Sequence, residues 1–178
     1  GSTRSPPAAP LSAAATPWGH GEPLRRSGTK EQEHYELPAL ADALYSPLVP
    51  RHGPYARSDA TRRPDYGVVC NGECDGGNVI GVRLNFDKRY ITLAPVATVI
   101  GLAFRMYDPD KLLGDQADLG ITLALLPRAT SGMEIGRRHM PLNIPFQNGP
   151  VRGKDVFLPL SQWLGRPDMA GHGWRKLV

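Results

Sequence analysis

The chain has 178 residues, including 20 glycines and 18 prolines, and 40% of its residues are hydrophobic. This size allows one folded domain with a real core, and only two cysteines exclude a disulfide-stapled scaffold. Lys and Arg number 21 against 17 Asp and Glu, a formal net charge of +4. That charge permits anionic ligands but is too small to indicate nucleic acid by itself. No apolar run reaches the roughly 18 residues that a membrane span needs.

The N-terminal part is predicted to contain little regular structure. Residues 1–26 are rich in Pro, Ala and Ser and have no apolar period, so we predict disorder there. Residues 27–63 open with a helix signal, because Thr29 is a good N-cap and Gln32 follows three residues later, as in a capping box. Pro38 then ends or kinks this helix. The arginine-rich remainder of 27–63 is predicted to be an irregular loop.

From residue 64 onward the pattern is that of a β protein. Short β-branched or aromatic runs are separated by Gly, Asp, Asn or Pro, namely YGVVC, VIGVRLNF, RYITLA, VATVIGLAF, LGITLALLP, MEIGRR and KDVFLPL. Since no helical pattern lies between them, residues 64–165 are predicted to form an antiparallel β-barrel or sandwich. Residues 166–178, which include MAGHGWRKLV, are predicted to begin a further helix.

The chemically reactive side chains form no self-sufficient catalytic set. Cys70 and Cys74 lie four residues apart in a predicted turn, without the second cluster that a zinc site needs. The five histidines have no metal-ligand spacing, so we predict no metal site. Arg137, Arg138 and His139 are three cations in one predicted hairpin, a pattern more typical of a solvated face than of a phosphate site. The sequence contains no P-loop and no dinucleotide-binding fingerprint.

Five segments, in the family's order, resemble acyl-CoA dehydrogenases. KRYIT at 88–92 resembles the family's K-x-W-I-T strand, and Ser58-Asp59 resembles the end of its T-x-P-x-A-G-S-D segment. The helical segment at 28–40 is similar to the family's G-T-x-x-Q…Y-L-P-x-L helix. GMEIGRRHMPLNIPFQNGPVRGKDVFLPL and MAGHGWRKLV resemble the stretch ending in F-x-x-V-x-V-P and the opening of the C-terminal bundle. NFDKRYITLAPVATVIGLAF is similar to the large bacterial fatty acyl-CoA dehydrogenases of β-oxidation.

The resemblance implies an FAD enzyme with N-terminal helices, a middle β-barrel and a C-terminal helical bundle. Fatty acyl-CoA would be its substrate and electron-transfer flavoprotein its electron acceptor. Full-length members would be homo-oligomers in the cytoplasm, with a peripheral position at the bacterial inner membrane as an alternative. Because the catalytic carboxylate of the family belongs to the C-terminal bundle, we expect no catalytic residue in this chain and no turnover by it alone.

The resemblance also implies which residues bind the cofactor. Thr92 would offer its hydroxyl to the flavin near N5, where negative charge develops on reduction. Tyr90, two residues back on the same strand face, would lie against the isoalloxazine ring in place of the usual Trp, while Ile91 in the same cofactor-binding strand would point the other way. Ser58 would hydrogen-bond a phosphate or pantetheine oxygen of the cofactor or substrate. His52 holds the place of the family's Thr at the flavin pyrimidine edge.

Other interpretations stay open at this point. Arg57 replaces the family's Gly before Ser58, and the Arg-, Pro- and Ala-rich composition of residues 1–57 is what a shifted reading frame in a GC-rich gene yields, a hypothesis that resequencing tests. A stand-alone basic barrel could instead bind nucleic acid or another anion. Against nucleic acid, the aromatic residues are not interleaved with Lys and Arg on one strand face, as stacking platforms require. A degenerate product without activity is the third interpretation.

Overall fold

The computed structural model describes residues 25, 28–34, 47–48, 65–74, 76–143 and 147–164. After a short helix at residues 30–34, these ranges contain the strands β1 (Pro47–Leu48), β2 (Tyr66–Cys74), β3 (Gly77–Thr92), β4 (Val99–Tyr107), β5 (Asp118–Pro127), β6 (Met133–Ile135) and β7 (Asn148–Pro159), with 3₁₀ turns at Pro141–Asn143 and Leu160–Gln162. The helix predicted at 166–178 and, except at residue 25, the disorder predicted for residues 1–26 lie outside the described residues. Of the loop predicted within 27–63, the structure describes Pro47–Leu48, which form β1. No helix in the described ranges is long and apolar enough to span a bilayer.

The strands of the described residues form one mixed sheet. Four pairs are antiparallel, namely β2–β3, β3–β7, β6–β7 and β4–β5. One edge of β4 pairs with β5, and the other edge pairs in parallel with β1 at its start and with β2 at its end. The predicted mainly β architecture is therefore confirmed, and these two parallel pairings make the sheet mixed rather than purely antiparallel.

Two local predictions about the first hairpin are wrong. Cys70 and Cys74, predicted in a turn, lie on β2, because the pairing of β2 with β3 continues to Cys74 and Gly77. Between the two strands the structure describes Gly76, which is a turn residue. The run VIGVRLNF and the first four residues of RYITLA, predicted in separate strands, belong to the single 16-residue strand β3, because irregularities in pairing bend this strand without ending it.

The sheet curls back on itself at the end of β7. Trp163, just beyond this strand, forms an isolated bridge with Ala124 of β5, and the backbone N–H of Leu164 donates to the carbonyl of Leu123 at 2.9 Å. Because β5 and β7 stand far apart in the strand order, this contact bends the sheet into a barrel.

The helix at residues 30–34 is tied to the same end of the barrel. The N–H of Thr29 donates to Gln32 Oε1 at 3.1 Å, and the N–H of Gln32 donates to Thr29 Oγ1 at 3.2 Å, so the predicted capping box is confirmed. Gln32 Nε2 also donates to the carbonyls of Ser161 and Trp163. The capping residue therefore joins the helix to the segment that closes the sheet.

The barrel interior is filled by alternate residues of the long strands. A single core cluster contains aliphatic and aromatic side chains from β3, β4 and β7, including Val82, Leu84, Phe86, Ile100, Leu102, Phe104, Met106, Val151, Val156 and Leu158. β4 is buried on its second face as well, since Ala103 packs with Leu123 and Leu164 in a smaller cluster. β4 is thus buried on both faces, which explains its continuous apolar sequence.

An exposed ion pair links β4 to β5 and makes stability depend on pH. Arg105 donates to both carboxylate oxygens of Asp118, and these hydrogen bonds hold the pKa of Asp118 below its ordinary value near 3.8. A carboxyl with a lowered pKa in the folded state contributes stability above its ordinary pKa, and this contribution is lost as pH falls through the lowered value. Both side chains are more than 40% exposed, so we expect a small, salt-sensitive effect.

Replacement of Asp118 by Asn should therefore reduce the loss of stability that occurs as the pH falls from 7 to 3. We expect the difference in urea midpoint between pH 7 and pH 3 to be smaller for Asp118→Asn than for the wild type, and the gap between the two proteins to narrow in 1 M salt. Parallel pH profiles for the two proteins would contradict this account of the ion pair.

Candidate functional site

β3 contains a bulge just before its last residues. Lys88 pairs with Val151 of β7 and Ile91 pairs with Gly149. Between these two pairs β3 therefore advances by three residues while β7 advances by two. Tyr90 lies in this bulge with a φ of 55°, a left-handed conformation that is unfavourable for a bulky side chain. Such local strain occurs preferentially at functional sites, and bulges redirect side chains there.

From Tyr90 to Thr92 the side chains alternate between solvent and core. Tyr90 is 65% exposed, Ile91 is 3% exposed and joins the core, and Thr92 is exposed again. This is the alternation expected for two residues on an open face with one residue between them pointing inward. Their cofactor roles stay predictions, as do those of Ser58 and His52, which lie outside the described residues.

Residues of three neighbouring segments meet at the end of β3. The rings of His139 and Tyr90 are nearly perpendicular, with centroids 4.9 Å apart and an interplanar angle of 78°. The N–H of His139 donates to the carbonyl of Asn148 at 3.0 Å, and Asn148 pairs with Thr92 across the β3–β7 ladder. Gln147 accepts a backbone hydrogen bond from the residue after Thr92. We call Tyr90, Thr92, His139, Gln147 and Asn148 the terminal cluster.

Three polar atoms of the terminal cluster are buried without a hydrogen-bond partner: His139 Nε2, Gln147 Oε1 and Asn148 Oδ1. Among the described residues, Trp163 Nε1 is the one other buried side-chain polar atom without a hydrogen-bond partner. An unpaired buried polar group costs about 1–3 kcal/mol, and native proteins retain few of them. Three such atoms in one cluster indicate that a ligand or ordered water completes their hydrogen bonding.

A buried ion pair anchors the strand immediately before the bulge. Lys88 Nζ contacts the carboxylate of Asp65, and the two side chains are 0% and 1% exposed. The other carboxylate oxygen of Asp65 accepts the N–H of Asp87 at 3.1 Å, and the backbone carbonyl of Asp65 accepts the N–H of Arg105 on β4. The position of the bulge is therefore fixed from the barrel interior.

Sequence reasoning identified Tyr90 and Thr92 but not their polar neighbours. Arg137 and Arg138 are exposed, as expected of a solvated face, whereas His139 turns inward against Tyr90. Gln147 and Asn148 form a polar pair at the start of β7, and their place beside Thr92 follows from the β3–β7 register. In the part of the chain that the structure describes, no three His, Cys, Asp or Glu residues come together as a metal site would require.

Comparison with curated proteins finds similarity over part of the chain. No protein-family model matches it. Protein HemX of Proteus mirabilis is 58% identical over 76 residues, which are 43% of this chain and 45% of that protein. The chain thus spans less than half the length of this curated relative, and the similarity is confined to one segment of each protein.

Solved structures match most of the chain. The FAD complex of PigA is 25% identical with a TM-score of 0.67, covering 89% of this chain and 38% of PigA. Butyryl-CoA dehydrogenase of Megasphaera elsdenii is 23% identical with a TM-score of 0.69, covering 89% and 37%. The electron transferring flavoprotein structure of Acidaminococcus fermentans is 18% identical with a TM-score of 0.68, covering 88% and 38%. The chain has the fold of the acyl-CoA dehydrogenase middle domain and spans less than half of each of these proteins.

Proposed function

We propose that the terminal cluster binds the flavin of FAD and that the chain is part of an FAD-dependent oxidoreductase of the acyl-CoA dehydrogenase kind. The observation that carries the proposal is the exposed ring of Tyr90, held on a strained bulge beside Thr92 and beside three unpaired buried polar atoms. The similarity to PigA, a protein solved as an FAD complex, supports it.

The residues present fit an isoalloxazine ring. This ring has flat, largely apolar faces and an edge of hydrogen-bond donors and acceptors. Tyr90 offers an exposed aromatic face whose orientation is fixed by the edge contact with His139. Thr92 offers a hydroxyl that can donate or accept. The unpaired oxygens of Gln147 and Asn148 can accept from an N–H of the ring, so the cluster supplies both an aromatic face and polar partners.

In the proposed reaction, bound FAD would supply a hydride acceptor, and this chain would supply one wall of the site. Tyr90 would cover part of the ring and exclude water from it. The hydroxyl of Thr92 would donate a hydrogen bond where negative charge develops, which is stabilising because the donor is already oriented. The ion pair of Lys88 and Asp65 would hold both residues in place. The base that removes the substrate proton would be the carboxylate of the family's C-terminal bundle.

The finer proposal is α,β-dehydrogenation of a fatty acyl-CoA, with electron-transfer flavoprotein as the electron acceptor. The name of the M. elsdenii neighbour supports an acyl-CoA substrate. The A. fermentans neighbour is named as an electron transferring flavoprotein, which supports a flavoprotein electron carrier. We also propose that Ser58 and His52 contact the cofactor. The full-length protein would be a homo-oligomer located in the cytoplasm.

Excess FAD should raise the melting temperature of the purified chain, and Thr92→Ala should reduce the shift. A ligand at a hundredfold excess over its Kd stabilises the folded state by about 2.7 kcal/mol, which corresponds to roughly 5–10 °C for a chain of this size. Loss of one oriented hydrogen bond that weakens binding about tenfold would halve the shift. Calorimetry with and without FAD measures both effects.

Ser131→Ala is the matched control, because it removes a hydroxyl from an exposed turn on another part of the barrel. Its FAD shift should equal that of the wild type. No FAD shift in a cooperatively unfolding wild type would contradict the proposed function. Salt-dependent binding of a fluorescent oligonucleotide, without an FAD response, would favour the anion-binding barrel instead.

A further inference from the structure

We infer that Asn148 is a ligand-contacting residue of the terminal cluster, a role that the resemblance does not assign to it. The inference rests on the proposed function and deepens it. Its basis is the position of one side chain: Asn148 is 6% exposed, and its Oδ1 is buried without a partner directly across the ladder from Thr92.

The backbone of Asn148, rather than its side chain, maintains its place in the fold. Its carbonyl accepts the N–H of His139 at 3.0 Å, and it pairs with Thr92 in the β3–β7 ladder. Its carboxamide oxygen contributes no hydrogen bond to the described residues. An apolar side chain of similar volume would avoid the cost of burying that oxygen. The carboxamide therefore weakens the fold at this position unless a ligand or an ordered water pairs it.

The neighbours of Asn148 indicate the chemistry of that ligand. Residues that pair directly across two strands have Cβ atoms about 4.5–5.5 Å apart, so one planar ligand edge can meet both the Thr92 hydroxyl and the Asn148 carboxamide. A carboxamide oxygen accepts hydrogen bonds. A ligand with an N–H on the edge of a flat ring satisfies this acceptor, and the isoalloxazine of the proposed FAD is such a ring.

The test compares stability without ligand against affinity for FAD in the same variants. Asn148→Leu should melt about 2–4 °C higher than the wild type without FAD, because it removes an unpaired buried polar group. It should bind FAD about tenfold more weakly in titrations that follow quenching of flavin fluorescence. Asn148→Ala should show the same loss of affinity. Asn78→Leu, an exposed change near the opposite end of β3, should leave the Kd unchanged.

The possible outcomes separate this inference from the proposed function. If the wild type binds FAD and both Asn148 variants bind within twofold of it, Asn148 is not a ligand contact and the inference is wrong. A fall in the melting temperature of both variants with unchanged Kd would assign Asn148 a structural role and would overturn the inference too. If the wild type itself does not bind FAD, the proposed function fails and the inference fails with it.

Discussion

Replacement of Lys88 by Met should lower the free energy of unfolding by about 3–5 kcal/mol, because it leaves a buried carboxylate without its counter-charge. Lys88 and Asp65 are 0% and 1% exposed, so water cannot replace the missing partner. Methionine matches the length and much of the volume of the lysine stem, which keeps cavity formation small. Urea unfolding at pH 7 measures the loss.

Arg152→Met provides the control for a nearby ion pair in a different environment. Arg152 pairs with Asp87, the residue adjacent to Lys88, but both of these side chains are at least 40% exposed. An exposed pair is worth about 0–1 kcal/mol, so Arg152→Met should unfold almost as the wild type does. If Lys88→Met and Arg152→Met lowered the free energy of unfolding by similar amounts, burial would not be the reason that the Lys88 ion pair stabilises the fold.

The same variant should also weaken the response to FAD. Lys88 precedes the bulge that presents Tyr90 to solvent. Asp65 links this point to β3 through its carboxylate, which accepts the N–H of Asp87, and to β4 through its backbone carbonyl. Without the ion pair, the strained conformation of Tyr90 loses its nearest anchor. At temperatures where Lys88→Met is still folded, we therefore expect a smaller FAD shift than in the wild type, whereas Arg152→Met should retain the full shift.

Features encoded by local sequence were predictable. The capping box formed by Thr29 and Gln32 depends on residues three apart, and the structure contains both of its hydrogen bonds. The apolar runs predicted as strands overlap β2 to β7, two of them on β3, because β-branched and aromatic residues bounded by turn formers favour extended backbone irrespective of their partners. The second bond of Gln32, to Trp163, joins residues far apart in sequence and had no local signal.

Features that depend on pairing between distant segments were not predictable. The bulge at Tyr90 exists because β3 and β7 differ by one residue between two fixed pairs, and nothing in RYIT alone specifies this difference. The parallel contact of β2 with β4 likewise joins segments separated by a whole strand. Antiparallel hairpins were expected for neighbouring runs, and the sequence pattern cannot distinguish them from a mixed arrangement.

The candidate site contains some features that local sequence predicts and others that depend on pairing between distant segments. Alternation along one strand was enough to place Tyr90 and Thr92 on one side and Ile91 on the other, and family resemblance supplied their proposed roles. Asn148 became visible only when the β3–β7 register set it opposite Thr92 and its unpaired oxygen could be counted. A buried polar atom without a partner is a property of packing, which no sequence pattern reports.

Replacement of Gly81 by Ala should destabilise the barrel by about 3 kcal/mol, because the new methyl group would collide with backbone. A Cβ at this position would lie 2.5 Å from the carbonyl oxygen of Leu158 and 2.6 Å from the ring of Phe157. The ring can turn aside, but the carbonyl belongs to β7, which pairs with β3 at this point. Relief therefore requires separation of β3 from β7 at this point, a cost at the upper end of overpacking.

Gly77→Ala, in the same strand, is the matched control. A Cβ there would have its nearest neighbour, the carbonyl of Cys74, at 3.8 Å, an ordinary contact distance. Alanine also loses less backbone entropy on folding than glycine, so we expect Gly77→Ala to be neutral or slightly stabilising in urea unfolding. If Gly81→Ala and Gly77→Ala were equally stable, the Leu158 carbonyl could move away from the new methyl group without loss of stability. β3 would then pack less tightly on β7 than the structure shows.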